Sequence, residues 1–292
     1  MPWGALVRVT YQLPGGDPVV VAVAHVIRSR LDRPEGVWTL EAADTSGLIG
    51  ADAITARRPA PVSGTVAAAI TALIRRTIPT ATVTVSGPAA SSPVPADWEV
   101  GRDPWAACVA LADLAGSTIR IHPDDPDAFT VAPEAALGTP VDELAVGVNV
   151  NGYPVTMERT WNAVAVEYTP TGGSGVAVTG WWVDDRPDSP LRPSVLGTHL
   201  TLVKQAVGLP TQAQADAAAA VWARREAGWV RSTEWRIIPR PWLEPDDTIN
   251  AVFSGGPVES QLVTATDLSH GPGRSEMTVR TRNSRYVSDL EV

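Results

Sequence analysis

The side chains most able to do chemistry are few. His122-Pro123-Asp124-Asp125-Pro126-Asp127 puts an imidazole and three carboxylates within six residues, a set that could hold a hard cation. Prolines and aspartates between two apolar runs are also what a solvated hairpin turn contains, and the stretch is read that way. Asp184-Asp185 and Asp246-Asp247 are acidic pairs, the raw material of a general acid and base. Adjacent residues of an extended chain point to opposite faces, so both pairs read as loop charges. Cys108 is the single cysteine, which excludes an intrachain disulfide and a cysteine-only metal site. It lies on the apolar face of a helical stretch and reads as a small core residue. His25, His122, His199 and His270 share no short repeated spacing, and Ser174 in Gly172-Gly173-Ser174-Gly175 lacks the second glycine of a nucleophile elbow. No glycine-rich phosphate loop occurs. These residues assign no catalytic, cofactor-binding or metal-binding position; the chain is expected not to be an enzyme and to need no cofactor.

The elements around these residues begin as strands. Leu6 to Tyr11 alternates apolar and polar, Pro14-Gly15-Gly16-Asp17 turns the chain, and Val19 to Arg30 followed by Val37 to Glu41 completes a three-strand meander. From Arg57 the texture changes. Ser63 or Thr65 caps a helix with Val66, Ile70, Leu73 and Ile74 on one face, and Pro79 stops it. Ala81 to Val85 reads as a strand and Ser86 to Pro95 as an exposed loop. Asp103 at the cap, Pro104 at the first helical position and Gly116 past the end delimit a second helix. A hairpin follows, Thr118 to His122 and Ala128 to Val131.

Strands resume after Pro140: Leu144 to Val150, Arg159 to Tyr168 and Val176 to Trp182, with Thr171 to Gly175 as a turn and Asp184 to Pro193 as a loop. Thr211 and Gln214 form a capping box for a third helix, which runs to Arg224-Arg225 and ends at Gly228. Trp229 to Ile238, Ile249 to Phe253, Glu259 to Asp267 and Arg274 to Arg282 read as the last strands. This final segment echoes the first: a strand, a turn, a second strand, a short turn (Asp32 to Gly36; Ser269 to Gly273) and a return strand. The expected fold class is α+β, mainly β. Two similar antiparallel β-barrels carry an inserted small α/β domain, with an additional helix in the second half. Residues 1–57 hold part of the first barrel, 58–135 the insertion, 136–228 linking strands and helix, and 229–292 part of the second barrel.

Composition narrows the function classes. The chain has 292 residues, 44% hydrophobic and 19% charged, with a formal net charge of −9. That balance supports a buried core and repels phosphate backbones, which disfavours electrostatic binding of nucleic acid. No apolar stretch approaches the roughly 20 residues of a membrane span, and no secretory leader is visible after Met1. Eleven tryptophans against two phenylalanines suit interfaces as well as cores.

One run of motifs carries a resemblance. It comprises Asp188-Ser189-Pro190, Gly197, Thr211-Gln212-Ala213-Gln214-Ala215, Arg224-Arg225, and Pro239-Arg240-Pro241-Trp242-Leu243-Glu244-Pro245-Asp246-Asp247-Thr248-Ile249. Asp267-Leu268 and Met277-Thr278-Val279-Arg280-Thr281-Arg282 close it. The run resembles the tail hub (baseplate hub, tail-associated) proteins of phages of actinobacteria, relatives of VgrG-type hub domains. Residues 185–285 carry the likeness well; the first half follows it by order of elements. Asp246 stands where those proteins usually have glycine, which bears on the type of that turn.

The resemblance implies a structural hub at the distal tail tip or baseplate of a phage or phage-like injection particle, made in the bacterial cytoplasm. Such hubs are homotrimers in which each subunit supplies two similar barrels, so that three copies match a six-fold tail tube to a three-fold tip. Implied partners are the distal tail protein or tail tube hexamer, the tape measure protein, and central fibre or spike proteins. DNA would pass through the channel without specific binding, helped by a negatively charged lumen. The chain closes soon after its last strand, so any lytic activity is expected of another protein. The alternative is a tandem-barrel carbohydrate-binding or adhesin module that uses Trp181 and Trp182 as stacking platforms.

Overall fold

The alternation of Leu6 to Tyr11 forms a strand, β1 (Leu6–Tyr11), that pairs antiparallel with β2 (Val19–Asp32), and β2 pairs antiparallel with β3 (Val37–Ala43). The computed structural model describes residues 5–12, 15–32, 37–54, 64–95, 98, 100–133, 135, 137–157, 161–170, 176–187, 189, 191–208, 210–227, 230–253, 258–271 and 274–284. The chain divides into two compact units, Met1–Glu134 with Val166–Gly180 and Gln205–Ala218, and Ala135–Ala165 with Trp181–Lys204 and Ala219–Val292. The class is α+β, mainly β.

In the first unit the meander leads into a short helix, α1 (Thr45–Ala51), capped by Asp44, whose carboxylate accepts from the Gly47 N–H at 3.3 Å. Next come α2 (Val66–Thr77), β4 (Thr82–Val85), a 3-10 turn at Gly87–Ala90, α3 (Pro104–Leu114), β5 (Ser117–Ile121) and β6 (Ala128–Pro133). Thr65 Oγ1 caps α2 by accepting from the Ala68 N–H, and Asp103 caps α3 by accepting from the Ala106 N–H. Gly116 has φ 71° just past the end of α3, the left-handed conformation that closes a helix. The strands form a sheet in the order β4-β6-β5, with β4 parallel and β5 antiparallel to β6. Ile49, Ile70, Ile74, Leu111, Phe129 and Val131 share one buried core, each contributing about 1.5–3 kcal/mol by leaving water.

Two readings of this half change and a third narrows. The helix α1 was not among the expected elements; Ile49 ties it to the α/β core. The stretch from Ser86 to Pro95 is not wholly an exposed loop, because the 3-10 turn buries Ala89. Of the two candidate caps for α2, Thr65 is the one that serves; Ser63 lies outside the described residues.

The second half begins with β7 (Asp142–Ala145), β8 (Val150–Gly152) and β9 (Val155–Met157). The single strand expected from Leu144 to Val150 is therefore two, because Gly147 turns the chain at φ 82°. Next come β10 (Ala163–Thr169), β11 (Val178–Val183), the short α4 (Pro193–Leu196), β12 (Thr201–Val207) and α5 (Gln212–Glu226), with the strands in the order β11-β10-β12. The capping box of α5 is reciprocal: the Thr211 N–H donates to Gln214 Oε1 at 2.9 Å, and the Gln214 N–H to Thr211 Oγ1 at 3.3 Å. Gly228, the turn at 171–175, and most of the two short turns of the repeat lie outside the described residues.

The last strands are β13 (Val230–Ile237), β14 (Thr248–Val252), β15 (Val258–Gly271) and β16 (Arg274–Ser284). They build a seven-stranded sheet, β7-β14-β15-β16-β13-β8, with β9 also on β13. Its core is aromatic: Trp235 is buried, Tyr153 stacks on it with centroids 5.6 Å apart, and Phe253 lies 5.1 Å away. The indole N–H donates to Thr281 Oγ1 at 2.9 Å, and the Thr281 hydroxyl in turn donates to Gln261 Oε1, so this polar trio is satisfied within the apolar core.

The echo between the two ends of the chain is visible in the strand register. His25 of β2 faces Leu6 on one side and Ala43 on the other; Leu262 of β15 faces Thr248 and Arg282. Each is the residue at which a 14-residue central strand passes from its preceding partner to its following one. Two residues further on, each strand carries one extra residue, Ile27 in β2 and Thr264 in β15, a β-bulge that bends the continuing ribbon.

Candidate assembly surfaces

The residues singled out for chemistry do not converge. His122 to Asp127 forms the β5–β6 hairpin turn, where the Asp124 N–H donates to His122 Nδ1 and the Asp127 N–H to Asp125 Oδ1. The His122 imidazole and the Asp125 carboxylate thus serve the turn's own backbone, and the Asp127 carboxylate accepts from Thr80 Oγ1 at 3.1 Å. Cys108 is fully buried in the α/β core, and burial, with the Asp103 charge behind it, pushes its thiol up to about 12. Tyr168 is likewise driven upward, first by burial and then by the charge of Asp113. Ser174 lies outside the described residues, as does the side chain of His270. Among the described residues no group of three or more His, Cys, Asp or Glu side chains is placed to hold a metal ion.

Asp184 departs from the loop-charge reading. It is 2% exposed, Arg186 grips both its oxygens at 2.8 and 2.9 Å, and the Ser189 hydroxyl donates to it at 2.6 Å. Burial alone would raise this carboxyl; the hydrogen bonds and charge of Arg186, with Ser189, outweigh it and hold the group below the usual carboxylate range. The Asp184 N–H donates to Asn162 O, while Asn162 Nδ2 donates to Leu191 O and Thr198 O, and its Oδ1 accepts from the Leu200 N–H. Two buried polar side chains thus organise residues 184–200. Aspartate and arginine two residues apart were the only sign of this in the sequence.

Asp246 adopts φ 78°, the left-handed conformation that the glycine of related turns would take without strain. The Asp247 N–H donates to Glu244 O at 3.1 Å, with Pro245 second and Asp246 third in the turn, the arrangement of a type II turn. The Asp246 N–H donates to Val263 O and the Val263 N–H to Asp247 O, which fastens the turn to β15.

Among the described residues, several apolar side chains are exposed. The meander of the first unit exposes Leu6, Val9, Ile27 and Leu40. In the second unit, Trp242, Ile238 and Val141 are each about half exposed. The Trp242 indole N–H donates to Asp142 Oδ2 at 3.0 Å, and Arg240 donates to the same carboxylate. Trp242 belonged to the run that carried the resemblance but was not assigned a role. Trp181 and Trp182 are neighbours on β11 and point to opposite faces; Trp181 is exposed and Trp182 only partly so, which does not make one two-ring platform.

No protein-family sequence model matches the chain, and no curated protein sequence is similar to it. Solved structures do match. The 43 kDa tail protein of prophage MuSo2 from Shewanella oneidensis has a TM-score of 0.64 at 12% identity, over 95% of this chain and 83% of that one. A tail protein from Neisseria meningitidis gives 0.62 at 14% identity, over 90% and 80%. An E. coli component of the type VI secretion system, described as similar in structure to the T4 bacteriophage tail proteins gp27 and gp5, gives 0.53 at 11%, over 94% and 63%. At these identities the likeness is one of fold, and it extends over nearly the whole chain.

Proposed function

We propose that this chain is a non-enzymatic structural hub of a phage tail tip or baseplate, or of a related injection particle. The observation that carries the reading is the repeated β-module: handover at His25 with a bulge at Ile27, and handover at Leu262 with a bulge at Thr264. A chain that presents such a module twice can supply two wall segments, so three copies make a ring of six. That ring meets a six-fold tube on one side and a three-fold tip on the other. The fold shared with phage tail proteins supports the same reading.

On this reading the chain works as a homotrimer in the virion. It contacts the distal tail protein or tube above it, the tape measure within, and fibre or spike proteins below. The genome crosses the ring without specific binding, consistent with a chain of net charge −9. The apolar side chains exposed on the meander are then surfaces awaiting neighbours. Light scattering on the purified chain, with copy counting by imaging in the particle, tests it. Three copies per tail are expected; a monomer at every concentration, or one copy per tail, overturns it.

A further inference from the structure

The chain contains five asparagines, Asn149, Asn151, Asn162, Asn250 and Asn283, and Asn151 alone is followed by glycine. The main-chain nitrogen of the next residue can attack an asparagine amide and close a cyclic imide. A Cβ on that next residue crowds the approach, and glycine has none.

Asn151-Gly152 lies in β8, a three-residue strand at the end of the seven-stranded sheet. Val150 pairs with Ile237 and Gly152 with Arg236, which are adjacent on β13, so Asn151 is the extra residue of a β-bulge. A bulge residue stands outside the regular ladder, where the pairing holds the backbone least. Asn151 is exposed, and a Cβ built on Gly152 would meet nothing within 4 Å. The other asparagines are better held or more crowded. Asn162 is fully buried, with its amide bonded to Leu191 O, Thr198 O and the Leu200 N–H. Asn149 accepts from the Ala145 N–H and donates to Glu143 O. Asn250 is paired on both sides, with β15 and with β7, and Asn283 precedes Ser284, which carries a Cβ.

We propose that Asn151-Gly152 is a site of spontaneous deamidation whose isoaspartate product loosens the β8 edge of the sheet. The Gly152 nitrogen gives up its proton and bonds Asn151 Cγ, the Cγ–Nδ2 bond breaks, and Nδ2 leaves as ammonia with that proton. Water then opens the imide. Cleavage of the new N–Cγ bond gives aspartate; cleavage at the main-chain carbonyl carbon gives isoaspartate. Either product replaces a neutral amide by a carboxylate. Isoaspartate also routes the main chain through its own Cβ, which adds a methylene group between Val150 and Tyr153. Val150 is buried in the core with Trp235 and Ile237, and Tyr153 stacks on Trp235, so the longer chain puts these two anchors out of step.

The test incubates the full folded chain in warm, mildly alkaline buffer and maps its peptides by mass spectrometry, with enzymatic methylation to detect isoaspartate. Conversion is expected at residue 151 while the other asparagines remain amides. If Asn151 stays an amide, or another asparagine converts first, the proposal fails. Gly152→Ala is the control: Gly152 lies outside the left-handed region and has room for a methyl group, so the variant should fold and lose the conversion. Should it not fold, Asn151→Gln at the same exposed site replaces it, with the same expectation. Conversion at the wild-type rate in Gly152→Ala would show that the glycine is not what opens the site. The isoaspartate form, separated by ion exchange, should unfold at lower denaturant than the unaged chain. An unchanged midpoint would overturn the link between this residue and the core.

Discussion

Gly180 and Ala215 approach so closely that a Cβ built on the glycine would lie 2.0 Å from the Ala215 carbonyl oxygen. The obstacle is helix backbone, which cannot swing aside as a side chain would. Gly180 has ordinary strand conformation, so the space and not the dihedral angle requires glycine. Gly180→Ala is therefore expected to destabilise at or beyond the upper end of the about 1–3 kcal/mol typical of overpacking. Chemical denaturation measures it, and a midpoint equal to wild type would mean that β11 and α5 do not sit this close.

The turn at Glu244–Asp247 contains a strain that can be removed. Asp246 at φ 78° occupies the position that glycine or asparagine fills more easily, and a left-handed residue costs about 1–2 kcal/mol. Asp246→Gly should leave the fold intact and shift the denaturation midpoint upward or hold it level, with Asp246→Asn in between. A clear loss of stability in both would show that the carboxylate contributes more than its backbone costs.

These two sites mark where the sequence was readable and where it was not. The caps at Thr65, Asp103 and Thr211 stand next to the helices they begin, and Gly116 next to the one it ends, so local chemistry was enough to place α2, α3 and α5. The helix α1 is short and contains two glycines; it is held by Ile49 in a core assembled from distant segments. β12 escaped notice because Lys204 interrupts its apolar pattern, and only the fold places that ammonium 4.1 Å from the centre of the Trp222 ring. The strand expected across Gly147 failed because a glycine inside an apolar run can be either a strand residue or a turn. Asp184 looked like any loop carboxylate, since its burial depends on Arg186, Ser189 and the Asn162 knot together. Leu40 illustrates the limit for exposed surfaces: its pattern is that of a core residue, and only coordinates reveal that it is 40% exposed.

The depressed Asp184 carboxyl gives stability a defined pH dependence. Its charged form is favoured in the folded chain, so its contribution is complete above the unfolded value, near 3.9, and fades as pH falls through the lower folded value. Asp184→Asn leaves Arg186 without its paired charge and should cost about 1–3 kcal/mol at pH 7. The gap between wild type and variant should narrow toward pH 3. A gap that stays constant from pH 7 to pH 3 would show that the carboxylate's charge is not what holds the loop.

The buried thiol offers a reporter on the α/β core. Cys108 has no exposed surface and a pKa raised to about 12, so it should resist thiol reagents in native buffer and react fully in denaturant. The slow native reaction should then follow opening of the packing between α2 and α3. Rapid stoichiometric labelling of the native chain would contradict the placement of α3.

Leu243 joins the turn around Trp242 to the sheet beneath it. It is buried with Trp235, Ile237 and Ile249, and its N–H donates to Arg240 O, so one residue secures both the hydrophobic core and the acidic turn above it. Leu243→Asp would place a carboxylate in that core with no described cation beside it, at a cost of several kcal/mol. Leu243→Ala removes apolar volume without adding charge and should cost about 2–5 kcal/mol. Chemical denaturation reads both losses, and Leu243→Asp should show the larger. A normally folded Leu243→Asp chain would contradict the burial of Leu243 in this core.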